Sequence, residues 1–141
     1  MATLTASGAQ AAVQPKGLRV GLVAVHSVYS LEAAPSSGDV FQMVKVPANA
    51  MPVFIQFGTT NATPSWMYKV GDGVDNARYR SDATASAGQG MLLAYANVNT
   101  PVPYTYSVDD TIDIFCSTIT ASNATIGGAF YMNAIFSMNP T

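Results

Sequence analysis

Ala129-Phe-Tyr-Met-Asn-Ala-Ile-Phe-Ser-Met138 decides the fold class. Phe130, Met132, Ala134, Phe136 and Met138 alternate with Tyr131, Asn133, Ile135 and Ser137. In an extended chain successive side chains leave on opposite faces, so this stretch has one apolar face and one mixed face. A helix would instead need apolar residues three and four apart, and no segment after Gly17 sustains that spacing. The stretch therefore predicts a strand.

The same period of two recurs upstream. Arg19–Ser30 places Val20, Leu22, Ala24, His26 and Val28 on one face. Asp39–Val46 is a β-branched run closed by Pro47, and Pro52–Phe57 sets Val53, Ile55 and Phe57 against Phe54 and Gln56. Ser65–Val70 sets Trp66, Tyr68 and Val70 against Met67 and Lys69. Met91–Asn97 is almost continuously apolar, and Pro103–Ser107 carries Tyr104 and Tyr106. Thr111–Thr118 sets Ile112, Ile114 and Cys116 against Asp113, Phe115 and Ser117. Turn-forming clusters separate these runs, among them Pro35–Gly38, Pro47–Asn49, Thr59–Pro64 and Gly71–Asn76. Short strands without crossover helices predict an all-β, antiparallel sandwich, jelly-roll-like or a related barrel.

Two segments fall outside the strand pattern. Met1–Gly17 is rich in Ala, Thr, Ser, Gln and Gly and lacks bulky apolar anchors. It is expected to form an extended N-terminal arm (residues 1–17) on a sandwich domain of residues 18–141. Ser81–Gly90 is built from small residues and reads as a long surface loop, either a contact loop or a simple connector.

Composition bears on what such a domain does. The 141 residues suffice for one domain with its own core, and the single Cys116 has no internal disulfide partner. Charged residues are 10% of the chain, where about 25% is usual. Ser, Thr, Asn, Gln, Gly and Ala take their place. A surface so poor in charge suits contact with other protein, because interface cores are depleted of charge. Residues 1–80 carry all six basic residues and four acidic ones, and the remainder carries four aspartates. That mild asymmetry makes no basic patch for nucleic acid. No apolar stretch approaches the length of a membrane span, and the first 14 residues lack the charge and apolar run of a secretory signal.

The reactive residues are few, and each has a structural reading. His26 alternates with Val20, Leu22 and Val28 and is expected to be packed or hydrogen-bonded rather than a general base. Cys116 alternates with Ile112 and Ile114 and reads as a small buried hydrophobe. Asp109 and Asp110 stand at the start of a strand, where aspartates bond turn N–H groups, and Asp113 alternates outward. Adjacent carboxylates of this kind lack the opposed geometry of glycoside hydrolysis. Asp72, Asp75 and Asn76 offer hard oxygen donors, but their spacing departs from the EF-hand loop. The expectation there is a tight Gly-Asp-Gly turn, with aspartates bonding backbone N–H groups and Arg78. Trp66, Tyr95, Tyr104 and Tyr106 would be the rings of a sugar-binding face, or else core edges and interface anchors. No catalytic, cofactor-binding or metal residue is assigned.

Asp39-Val-Phe-Gln-Met-Val-Lys-Val-Pro47 and Val70-Gly-Asp-Gly-Val-Asp-Asn-Ala-Arg-Tyr79 resemble small virion structural proteins of tailed bacteriophages. In that group an early strand ending in Val-Lys-Val-Pro precedes a Val-Gly-Asp-Gly turn that runs on to Arg-Tyr or Arg-Phe. The resemblance covers Asp39–Asp82 by motif, and the rest by size and β-content. It implies a non-enzymatic capsid decoration, or cement, protein on the outer surface of the head, made in the bacterial host cytoplasm. Its implied partners are the major capsid protein and further copies of itself, a homotrimer being favoured over a dimer, with no nucleic acid and no membrane. Such proteins resist the outward pressure of packaged DNA, and a terminal arm commonly inserts among capsid subunits. Met1–Gly17 matches that arm in position and composition. Another virion role, in the tail or connector, and a glycan-binding adsorption module are the alternatives.

Overall fold

The period of two seen in the sequence becomes nine strands in a computed structural model that describes residues 1–6, 21–60, 66–84, 91–93, 104–119 and 128–138. In chain order, among these residues, they are β1 (Thr3–Thr5), β2 (Gly21–Ser30), β3 (Val40–Val46), β4 (Ala50–Thr59) and β5 (Met67–Gly71). Then follow β6 (Arg80–Thr84), β7 (Met91–Leu93), β8 (Asp110–Thr118) and β9 (Ala129–Met138). One sheet has the order β1-β3-β8-β5-β6 and the other β2-β9-β4-β7.

The order is that of a jelly roll. β5 pairs with β6, β4 with β7, β3 with β8 and β2 with β9, all antiparallel. The chain is thus one long hairpin whose tip lies between β5 and β6, rolled so that its layers fall alternately into two sheets. Two further antiparallel pairings, β4 with β9 and β5 with β8, complete the sheets. The sandwich stays open and does not close into a barrel.

The inner faces hold the core. Phe41, Val46, Tyr68, Val70, Ile112, Ile114 and Cys116 come from one sheet. Ile55, Phe57, Phe130, Met132, Ala134 and Phe136 come from the other. Phe130 is the hub: its ring lies 4.8 Å from Phe41 and 5.4 Å from Tyr68, both edge-to-face. Such pairs add about 0.5–1.5 kcal/mol each beyond area burial. A bulge between Gln42 and Val44 breaks the alternation of β3, so that Met43 and Val44 both turn inward and are fully buried. A second bulge in β4 lies next to Pro52, a position that tolerates proline's missing N–H. Asn49, at φ 66°, makes the left-handed turn between β3 and β4.

Several expectations need correction. The first six residues of the expected arm Met1–Gly17 lie on the body. Thr3–Thr5 pairs with Val40–Gln42 in parallel, the one departure from antiparallel order, and Ala6 is buried. Residues 7–17 lie outside the described residues. Ser81–Thr84, expected to begin a loop, belongs to β6, and residues 85–90 are likewise outside the described set. Pro103–Ser107 was expected as a strand, yet its described residues Tyr104–Ser107 are irregular. They are held instead by Tyr106, whose N–H donates to Ala50 O (3.0 Å) and whose carbonyl accepts from Asn49 N (2.7 Å). Of Met91–Asn97, β7 keeps Met91–Leu93.

Candidate functional site

The tip of the rolled hairpin is the most organised polar feature. Leaving β5, the chain turns through Asp72–Tyr79 into β6. Asp72 is 1% exposed, yet it is fully satisfied. Its Oδ1 accepts from the N–H of Val74 (3.0 Å) and of Asp75 (2.8 Å), the expected aspartate-capped turn. Its Oδ2 accepts from Arg78 Nε and from the Tyr106 hydroxyl (3.2 Å). A neutral tyrosine has one proton, so Tyr79, 2.7 Å away, donates to the Tyr106 oxygen. Burial, then Tyr79 and Asp72, pushes the Tyr106 phenol up, which keeps that proton in place. The Arg78 guanidinium lies 3.7 Å over the Tyr104 ring. Burial pulls the Arg78 pKa down, but the hydrogen bond and charge of Asp72 outweigh it and hold it above its ordinary value. The backbone closes as tightly: Asp72 N–H donates to Asp75 O at 3.0 Å, and a Cβ on Gly71 would meet that oxygen at 2.1 Å.

This is the Gly-Asp-Gly turn expected from Val70–Tyr79, with Arg78 as partner. The oxygens of Asp72 are spent within the chain, and Asp75 Oδ1 accepts from Ala77 N at 3.0 Å. Among the described residues no group of three or more His, Cys, Asp or Glu is placed to hold a metal ion.

The other reactive residues lie apart. His26 is exposed on β2, where its Nδ1–H donates to Asn133 Oδ1 at 2.6 Å, while Asn133 Nδ2 donates to Gln56 Oε1 at 3.0 Å. It is hydrogen-bonded as expected, but its strand face with Leu22, Ala24 and Val28 points to solvent, and Val25, Ser27 and Tyr29 point inward. Cys116 is buried, and burial, then Asp39, pushes its thiol up to about 12. Asp109 Oδ1 accepts from Ala48 N at 2.9 Å, and Asp110 Oδ1 from Thr111 N at 2.8 Å, as strand-start aspartates do. Asp113 takes the outward face of β8 as expected, but it is 3% exposed. Burial foremost pushes its carboxyl up to about 7, Asp110 and Asp72 adding to the rise and a Thr111 hydrogen bond opposing it. Among the candidate sugar-binding rings, Trp66 and Tyr106 are buried and Tyr104 is taken by Arg78. Tyr95 lies outside the described residues.

The two outer faces differ in kind. β2, β4, β7 and β9 contain no Lys, Arg, Asp or Glu at all, whereas the other sheet carries Lys45, Lys69, Arg80, Asp82, Asp110 and Asp113. The outer face of the four-stranded sheet presents Leu22, Ala24 and His26 beside Asn133, Ile135, Phe54 and Gln56. Leu22 is 67% exposed. Composition pointed to a charge-poor surface, but the segregation of that property into one sheet needed the strand order.

No protein-family model matches the chain, and no curated protein matches it. Solved structures do. The chain is similar to one in the capsid of Ralstonia phage GP4, at 18% identity and a TM-score of 0.68, over 86% of each chain. It is similar to one in the cyanophage Pam1 capsid asymmetric unit, at 20% identity and a TM-score of 0.68, over 92% of this chain and 94% of that one. A chain of the acid-stable capsid of Helicobacter pylori bacteriophage KHP30 matches at 14% identity and a TM-score of 0.53, over 86% and 95%. What is shared at these identities is the fold. The phage likeness read from Asp39–Pro47 and Val70–Tyr79 thus meets a fold found in phage capsids, over 86% or more of each chain.

Proposed function

We propose that this chain is a non-enzymatic structural component of a phage particle, a decoration or cement protein that binds the outside of the head and ties major capsid subunits together. The observation that carries this is the uncharged outer face of the four-stranded sheet, on a fold shared with chains of phage capsids. Burying charge without a partner is costly, so a face free of it can be covered by protein at little penalty. β2, β4 and β9 are ten residues each. At roughly 3.3 Å per residue and about 4.8 Å between strands, they offer on the order of 500 Å². That is less than the ~800 Å² each partner gives in a standard interface. One such face holds weakly and suits a protein repeated on a symmetric lattice, where many contacts act together.

The same reading has the chain assemble as a homotrimer, its arm beyond Ala6 reaching a neighbouring capsid subunit and residues 85–90 giving a secondary contact. The occupied roles of His26, Cys116 and Asp72 support a non-enzymatic protein. Burial of Trp66 and Tyr106 weighs against a glycan-binding module.

Electron cryomicroscopy of intact particles tests the reading. Density for this sandwich is expected on the head exterior, with the four-stranded sheet against a capsid subunit. Density on the tail or connector would overturn the cement role. Leu22→Lys is the matching variant: it should abolish attachment while leaving stability within about 0.5 kcal/mol, as exposed substitutions do.

A further inference from the structure

The outer face of the five-stranded sheet holds a depression of about 470 Å³. Its floor is Asp113, between Gln42 of β3 and Gly71 of β5. Val40, Phe115 and Val74 are its apolar lining, and Thr3, Gln42, Asp75 and Asn76 make the rest of it polar. Asp113 is 3% exposed, and its Oδ1 has no hydrogen-bond partner. A buried acceptor without a donor is costly, and in native proteins it asks for an explanation.

Among the described residues three carboxylates line the depression, and no basic residue does. Asp72 is neutralised by Arg78, whereas Asp75 is exposed and bonds only its own turn, at Ala77 N. The remaining need is for a cationic donor at Asp113. Val40, Phe115 and Val74 give apolar contact to a methylene stem, and the polar remainder of the lining suits the charged donor at its end. An inorganic ion fits less well, since no group of three acidic, His or Cys side chains among the described residues is placed to hold one.

The geometry points to this depression as a docking site for a lysine or arginine side chain of a neighbouring protein subunit, its charged head on Asp113 and its stem between Val40, Phe115 and Val74. This deepens the particle-component reading and rests on it. The groups around the carboxyl set its response to protons. Asp110 lies on its own strand, Asp72 and Asp75 on the tip turn, Gln42 on β3 and Thr3 on β1. Lys45 and Lys69 lie two pairs to either side, opposite Thr111 and Phe115. A cation on Asp113 favours its ionised form, so docking strengthens as pH rises through about 7, where the free carboxyl titrates.

Two measurements test the inference. In the first, the Asp113 carboxyl carbon is followed by NMR from pH 4 to 9 in the intact chain, with and without the end-blocked peptide Gly-Lys-Gly. The peptide should lower the Asp113 midpoint, while end-blocked Gly-Leu-Gly leaves it unchanged. An unmoved midpoint, or one moved equally by calcium ion, would overturn the site. The second compares attachment of the wild-type chain and Asp113→Asn to particles stripped of this protein. Asp113→Asn keeps the shape and should weaken attachment about tenfold or more above pH 7. Equal attachment of the two would refute the docking site while leaving the particle role intact. If the wild-type chain fails to attach at all, the particle role falls, and the peptide titration alone decides whether the depression binds a cation.

Discussion

Asp72 and Arg78 form an ion pair under the β5–β6 turn, the carboxylate side chain 1% exposed and the guanidinium side chain 16% exposed. The pair joins two parts of the chain: the turn, through Val74 and Asp75, and the irregular segment Tyr104–Ser107, through the Tyr106 hydroxyl and the Tyr104 ring beneath Arg78. Removing one partner of a buried pair costs about 3–5 kcal/mol, because the other is left uncompensated. Asp72→Ala should lose about that much in urea unfolding. Arg78→Lys keeps the charge but gives up the planar donor and the stacking on Tyr104. It should lose less, roughly 1–2 kcal/mol.

Gly71 and Gly73 flank Asp72 and should respond differently to alanine. A Cβ at Gly71 meets Asp75 O at 2.1 Å and the Asn76 backbone at 2.4 Å. Backbone cannot swing aside, so Gly71→Ala must open the turn. Its cost should reach or exceed the about 1–3 kcal/mol typical of overpacking. At Gly73 the nearest atom is Asp110 Oδ1, 3.2 Å away at the end of a side chain. Gly73→Ala should therefore be much milder. Thermal unfolding of the two variants checks the ranking.

Stability should fall as the solution becomes alkaline through neutrality. Asp113 has its folded pKa raised, to about 7 from 3.8. The fold therefore binds a proton that the unfolded chain has already released. This contribution is fully present below the ordinary carboxyl value and is lost as pH rises through about 7, on the order of a few kcal/mol in all. Asp113→Asn should flatten that stretch of the stability profile and be more stable than wild type at pH 8. Urea midpoints measured between pH 4 and 8 decide it.

Cys116 is 1% exposed, and its thiol is pushed up to about 12, so the reactive thiolate is scarce in the fold. Thiol reagents should label it only as fast as the β3–β8–β5 region opens, and labelling should accelerate in step with urea unfolding. Fast labelling in native buffer would contradict the packing described.

How legible all this was depended on whether a residue's partners were local. β9 could be read from its own alternation, and the tip turn from the Gly-Asp-Gly pattern with Arg78 six residues on. β1 and β6 were missed because they are short, polar edge strands, recognisable only by the backbones they pair with. On β2 two apolar faces compete, Leu22 and Val28 against Val23, Val25 and Tyr29. Nothing in the sequence says which one meets the other sheet. Asp113 was read correctly as outward, but its burial comes from a turn on another strand. Tyr106 was taken for a strand residue, whereas its place is fixed by Asp72 and Tyr79, both distant in sequence.

The nested order of the strands also constrains how the protein can be made. Met132 and Asn133 sit opposite Ser27 and His26 on one side and Phe57 and Gln56 on the other, because β9 lies between β2 and β4. During synthesis β2 and β4 emerge first, and the strand that joins them follows about seventy residues after β4. Until β9 has emerged the four-stranded sheet has no centre, and its uncharged surface cannot yet be presented. A copy that stops short of β9 never acquires that surface, so the order of synthesis itself keeps incomplete copies from displaying it.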